Sequence, residues 1–237
     1  MKKLFSHRFL FSVFRGLRPP LEELGAMKPA SFGLNGMDRK LLSHIKKRNG
    51  TFVEAGANNG LRQSNTAYLE LYLGWKGLLV EPIPELAEAC RRNRPASVVE
   101  QCALVPGNGA PSTVSMTYCN LMSIVEGARG TPELDADHIE RGSKFLKPGD
   151  EPRKVEVPTS SLSSLLDKHG ISEIDLLSLD VEGYEEQALH GLDLGKHAPT
   201  WILVEANDPV AMERLLGARY DLVGTLSHHD QLYRLMS

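Results

Sequence analysis

The sequence predicts an α/β domain: a mostly parallel sheet with helices on both faces, a C-terminal antiparallel hairpin and an N-terminal helical arm. Three observations predict it. From Thr51 onward, short apolar runs alternate with amphipathic stretches at the spacing of strand–helix units. The first of these runs leads into a glycine turn, "TFVEAGANNG". The last two, "YDLVGTLS" and "QLYRLM", are joined through "HHD", which reads as a hairpin.

Composition sets the frame. A chain of 237 residues holds one sizeable α/β domain with room for an arm. Apolar residues make up 41 % and charged residues 24 %, with a net charge of −3, which argues against a surface built to bind nucleic acid. Cys90, Cys102 and Cys119 have no metal-like spacing, so the reading is a reduced, cytoplasmic setting without a disulfide framework. No apolar run reaches the roughly 18 residues needed to span a bilayer.

Residues 1–48 read as an arm and a helix, and residues 49–237 as the main domain. The arm carries Lys2, Lys3, Arg8, Arg15 and Arg18, interleaved with Phe5, Phe9, Phe11, Phe14 and Leu17, and no acid precedes Glu22. Such a segment can pack on the domain or on a second subunit, or lie against the anionic inner face of a membrane. No small-residue cleavage site follows its short apolar stretch, so it does not read as a signal peptide. Pro19-Pro20 separates the arm from "GMDRKLLSHIKKRNG", a helix stopped by Asn49-Gly50.

The domain elements follow in order. Phe52-Val53 is a strand, "SNTAYLELYLGW" a helix with Ser64 or Asn65 as cap, and "GLLVEP" a strand broken by Pro82. "PELAEACRRN" is a helix with Pro84 in its first turn, and "SVVEQCALV" is the third strand. From Pro106 to Val155 the pattern is irregular and rich in Gly, Pro and charge, a stretch for hairpins or an active-site cover. Alternation resumes with the helix "SLSSLLDKHG", the strand "IDLLSLDVEG", the helix "YEEQALHGL", the strand "TWILVEAND" and the helix "PVAMERLLGA".

Ligands of open α/β sheets sit at the carboxyl ends of the strands, where strand order reverses. There Gly56 allows a tight turn and Gly60 close packing of the next segment. Glu81, 21 residues after Gly60, ends the second strand and can accept both hydroxyls of a ribose. A nicotinamide dinucleotide would fit that far. But the spacing is G-x-x-x-G rather than G-x-G-x-x-G, Asn58 and Asn59 would crowd a pyrophosphate, and Glu54 would repel it. A carboxylate at Glu54 suits the α-ammonium of S-adenosylmethionine, directly or through water; the alternative is that Glu54 only caps the next helix.

The run "FVEAGANNGLRQSNTAYLELYLGWKGLLVEPIPELAEACRRNRP" closely resembles the FkbM-type methyltransferases, class I enzymes that use S-adenosylmethionine. The resemblance continues through "EQCALV", with Gln101 where the family pattern has Asn. It reappears in "VPTSSLSSLLDKHGISEIDLLSLDVEGYEEQALHGLDL" and "LSHHDQLY". It covers roughly Asn35 to the C-terminus and is weakest in the arm and between Pro106 and Val155. It implies a Rossmann-like class I methyltransferase fold with a seven-stranded, mostly parallel sheet. It also implies a cofactor site in which Glu54, Gly56, Ala57, Asn58 and Gly60 line the methionine part and Asn65 and Thr66 approach its carboxylate. Glu81 would hold the ribose, Pro82 and Ile83 would lie against the adenine, and Cys102 and Ala103 would border it, although Cys102 also reads as a small buried residue.

On the chemistry side, Asp180 at the end of the fourth strand would face the sulfonium and the acceptor. Glu182 stands two residues on, as a second acid with a separate pKa or as a helix-start acid. Glu205, Asn207 and Asp208 end the fifth strand. Asp180, Glu205 and Asn207 could together offer oxygen ligands to Mg²⁺, which is the less favoured reading beside plain turn polarity. His229, or His228, could serve as a general base, with Asp230 to orient it, or merely form a hairpin tip. The implied activity is S-adenosylmethionine-dependent methylation, with a hydroxyl of a sugar, glycan or polyketide-like small molecule as acceptor. The alternatives are transfer to nitrogen or carboxylate, and a non-catalytic cofactor-binding module in a glycan-assembly complex.

Overall fold

A computed structural model describes residues 17–107 and 109–236. The basic, aromatic stretch of the arm, residues 1–16, lies outside them. Residues 17–23 (α1) are helical through Pro19 and Pro20, so the proline pair does not part the arm from the rest. The chain continues through a 3-10 turn, Leu34–Gly36, into α2 (Met37–His44).

The main sheet is built from β1 (Thr51–Ala55), β2 (Lys76–Val80), β3 (Val98–Glu100), β8 (Leu176–Leu179), β9 (Trp201–Glu205), β10 (Tyr220–Thr225) and β11 (Asp230–Leu235). Its order is β10-β11-β9-β8-β1-β2-β3, and only β11 runs against its neighbours. The helices α3 (Ala67–Leu73), α4 (Pro84–Asn93), α6 (Leu162–His169), α7 (Glu185–His190) and α8 (Pro209–Leu216) connect the strands. This is the Rossmann-like, seven-stranded, mostly parallel arrangement that the sequence predicts, and its strand order reverses between β1 and β8. Among the described residues no helix is long and apolar enough to cross a membrane.

Strand alternation sorts the core into two layers. Val53, Ala55, Leu78, Val80, Leu177, Leu179, Ile202 and Val204 face α6, α7 and α8. Phe52, Leu79, Leu176 and Leu203 face the other way, where Met37, Leu41, Tyr68, Leu69 and Trp75 pack on them. Residues before the sheet therefore close one of its faces. Glu22 ties them down: its buried carboxylate accepts bonds from Arg18 Nε (2.6 Å), Arg39 Nη1 (2.9 Å), Tyr68 Oη (2.9 Å) and the Ala30 N–H (3.0 Å).

The third strand is shorter than the sequence predicts. β3 stops at Glu100, and β4 (Ala103–Leu104) leaves the main sheet to pair with β7 (Arg153–Ser160). A second, four-stranded sheet results, ordered β4-β7-β5-β6, with β5 (Thr113–Tyr118) and β6 (Ile124–Val125) forming a hairpin. Helix α5 (Pro132–Ser143) completes this inserted segment. Met116, Val125 and Val157 pack with Ala103 beneath it, so the irregular stretch has a small core of its own.

Candidate active site

A concavity opens where β1, β2 and β8 end, under the second sheet, and encloses about 820 Å³ with its mouth included. Gly56 makes it possible. Its φ is +81°, and a Cβ there would lie 1.8 Å from the Asp180 carbonyl oxygen. The turns after β1 and β8 can touch only because position 56 has no side chain. Gly60 also has a left-handed φ, and a Cβ there would press on Arg94 Cγ at 2.9 Å. Its role is packing against α4 rather than lining the cleft.

Of the residues expected to hold a cofactor, Gly56, Asn58, Glu81, Pro82, Cys102, Ala103 and Asp180 line this cleft. Glu81 is its best-defined polar group. The Asn58 N–H donates to one carboxylate oxygen (2.8 Å) and the Ile83 N–H to the other (3.0 Å). Burial pushes its pKa up to about 7 against the pull of those two bonds. Each oxygen keeps a lone pair for a hydroxyl, the arrangement a vicinal diol needs. Ala57 and Ile83 are buried beside the cleft and act through the backbone.

Glu54, expected beside a cofactor's ammonium or as a cap of the next helix, lies outside the cleft lining. β1 runs to Ala55, and alternation puts Glu54 on the face of Phe52, under the start of α3. Its carboxylate accepts bonds from Ser64 Oγ (2.9 and 3.0 Å), the Asn65 N–H (2.7 Å) and Thr66 Oγ1 (2.7 Å). Arg94, fully buried, stands 3.6 Å away and donates to Glu70 (2.8 Å), the Gly60 carbonyl (2.9 Å), Ser64 Oγ (3.1 Å) and Thr66 Oγ1 (2.9 Å). Asn65 spends its side chain on Ser178 Oγ (3.1 Å). Glu54, Asn65 and Thr66 thus brace the glycine turn from behind.

Backbone strain gathers at the same place. Among the described residues, six that are not glycine have positive φ, and four of them, Asn58, Gln63, Asn120 and Glu182, line the cleft. Such conformations persist where the surrounding structure enforces them, and they mark working sites.

The opposite flank is acidic. Carboxylate oxygens of Asp180, Glu185 and Glu205 lie within 4.8 Å of one another. Asp180, at the cleft floor, is reached by water yet ringed by protein. Desolvation, then Glu205 and Glu182, hold its pKa well above the usual carboxylate range. Burial, then Glu205, raises Glu182 to about 8. Glu182 does not cap the next helix. Glu185, the first residue of α7, instead reaches back into the preceding turn and accepts from the Val181 (3.0 Å) and Gly183 (3.1 Å) N–H groups. Asn207, expected beside Asp180, is instead taken by Arg129 (2.8 Å). Asp208 caps α8 through bonds from the Val210 and Ala211 N–H groups, both at 3.0 Å.

His229, a base candidate from the sequence, lies apart from the cleft. It is exposed in the turn before β11, outside the cleft lining, with its carbonyl accepting from the Ala206 N–H (2.7 Å). The histidine near the acids is His138 on α5. Its Nε2 is 3.0 Å from the Met122 carbonyl and 3.4 Å from Glu182, and burial and then Arg129 lower its pKa. Sequence reasoning missed Arg129, His138 and Glu185. Only the first-turn acids of "YEEQALHGL" signalled the last of these.

Solved structures align with the chain at low similarity. A TehB-like SAM-dependent methyltransferase from Corynebacterium glutamicum aligns over 95 % of this chain and 99 % of its own, with 11 % identity and a TM-score of 0.42. A SAM-dependent methyltransferase from Aquifex aeolicus aligns over 84 % and 89 %, at 11 % identity and 0.43. Fibrillarin from Aeropyrum pernix, solved with natively bound S-adenosyl-L-methionine, aligns over 80 % and 67 %, at 12 % and 0.39. No curated protein matches the chain. The family profile of the methyltransferase FkbM domain matches residues 54–235, from the buried Glu54 to the end of the last strand. This chain therefore belongs to the FkbM methyltransferase domain family.

Proposed function

We propose that this methyltransferase moves the methyl group of S-adenosylmethionine to a hydroxyl oxygen of a sugar, glycan or polyketide-like small molecule. One observation carries the reading: Glu81, suited to a ribose diol, and Asp180 and Glu182, suited to receive a proton, line the same cleft. The sulfonium would then lie between them, near Gly56. Transfer is an in-line displacement in which the carbon–sulfur bond breaks as the carbon–oxygen bond forms. The cofactor supplies the methyl group and the driving force of sulfonium neutralisation. The chain's own part is to hold the ribose, exclude water with the second sheet, and give the hydroxyl proton a carboxylate to go to.

Thermal shift with S-adenosylhomocysteine and with NADH tests the cofactor. Label transfer from methyl-tritiated S-adenosylmethionine to panels of sugar hydroxyls, phenols, amines and carboxylates tests the acceptor. Labelled ethers support the proposal; labelled amines or esters overturn its oxygen assignment.

A further inference from the structure

On the methyl-transfer reading of the cleft, we infer that Arg129 is a positioning residue for its acceptor side: it clasps the ends of β8 and β9 to the inserted segment and sets Glu182 and its charge against the reacting centre.

Arg129 lies in the loop between β6 and α5, far in sequence from the residues it holds. The loop is rigidly mounted. The buried Asp135 carboxylate on α5 accepts from the Gly127 (2.6 Å) and Arg129 (3.0 Å) N–H groups. The guanidinium then forks. Nη1 donates to Asn207 Oδ1 after β9 (2.8 Å), and Nη2 reaches Glu182 Oε2 after β8 (3.3 Å). The fork rests on Gly183, where a Cβ would lie 3.0 Å from Nε. Nε itself is buried without a partner. A guanidinium suits this task because its donors form a planar fork, which an ammonium cannot reproduce.

The electrostatic setting makes the arrangement functional rather than only structural. Glu182 faces Arg129 and His138 from the inserted segment, and Asp180, Glu185 and Glu205 from the main sheet. Its backbone is left-handed, φ +57°, so its direction is enforced rather than relaxed. Arg129 both fixes that direction and offsets part of the negative field at the place where a sulfonium would sit.

The test exploits the charge difference between S-adenosylmethionine, a sulfonium, and S-adenosylhomocysteine, a neutral thioether. In Arg129→Gln the cleft becomes more negative. The cation should then gain on the thioether by about three- to tenfold in the ratio of their calorimetric Kd values. Arg129→Lys keeps the charge and should leave the ratio near that of the unmodified chain. A double-mutant cycle with Glu182→Gln should show non-additive ratios, because the two side chains act as a unit. Equal weakening of both ligands in Arg129→Gln would mean simple packing, and additive ratios would mean that Arg129 does not act through Glu182; either overturns the inference. Binding of neither ligand by the unmodified protein would instead overturn the cofactor reading and this inference with it.

Discussion

The two flanks of the cleft handle buried charge in opposite ways. Behind β1 and β2, Glu54, Glu70 and Arg94 form a closed set whose donors and acceptors meet at short range. Beyond β8 and β9, carboxylates crowd one another and a buried Arg129 N–H has no partner. The first flank has settled its electrostatics on folding and serves as a rigid frame. The second holds Asp180 and Glu182 above the usual carboxylate range, which equips them to take up a proton. Similar side chains thus make a scaffold in one place and a reactive surface a few residues away. The difference lies in whether each charge is given its counter-charge.

The strongest way to break this contrast is to remove the counter-charge from the settled flank. Arg94→Leu strands Glu54 and Glu70 without their cation and should cost about 3–5 kcal/mol in urea unfolding. A loss below about 1 kcal/mol would mean that the frame does not depend on it.

On the reactive flank, Asp180→Asn should leave the fold intact and slow methyl transfer by about 10²–10⁴-fold. Turnover of the unmodified chain should climb with pH toward about 8 as Glu182 ionises, and Glu182→Gln should lose that limb. Full activity in Asp180→Asn would remove it from the chemistry.

Glu81 stands between the two flanks and sharpens the comparison. Its raised pKa means that the unliganded protein holds a proton the unfolded chain has lost. Stability from this group is complete below pH 4.5 and fades as pH rises to about 7. Affinity for S-adenosylhomocysteine should move the other way, rising through pH 7 as the carboxylate becomes the acceptor of two hydroxyls. Glu81→Gln should flatten both trends and cost about 1–3 kcal/mol of binding. A pH-independent affinity in the unmodified chain would sink the ribose assignment.

The smallest expected effect is of EDTA. Asn207, needed to complete the metal set the sequence offered, is committed to Arg129. Turnover should therefore be unchanged by chelation. Loss of activity with EDTA, restored by Mg²⁺ alone, would reverse this and recast the reactive flank as a cation site.

What the sequence made legible was local. Helix α4 begins at Pro84 and ends at Asn93 as its periodicity and first-turn proline require. Gly56 is left-handed, as a tight turn demands. The bracing partners of Glu54, Ser64 to Thr66 and Arg94, were not legible because they come from the loop after the glycine turn and the end of α4. Arg94, in "RRNRP", reads as surface charge; nothing local reveals that it will be the most thoroughly enclosed cation of the domain's frame. Arg129 and Asn207 are 78 residues apart, so only the closed topology brings them together. The alternation in "RKVEV" did carry a strand signal for β7, but its partner β5 lies across the inserted helix.

The bridge between Gly33 and Gln63 reaches beyond the cleft it borders. Gln63 lines that cleft in a left-handed conformation, and its bridge partner, Gly33, belongs to a segment that precedes the family match at residue 54. The inherited unit and the folding unit thus have different borders. A chimera joined at residue 54 would carry over the glycine turn while leaving behind the backbone that steadies its far end. A change in the stretch before the match would therefore be felt at the rim of the cleft, and would be a means of reshaping which molecules enter.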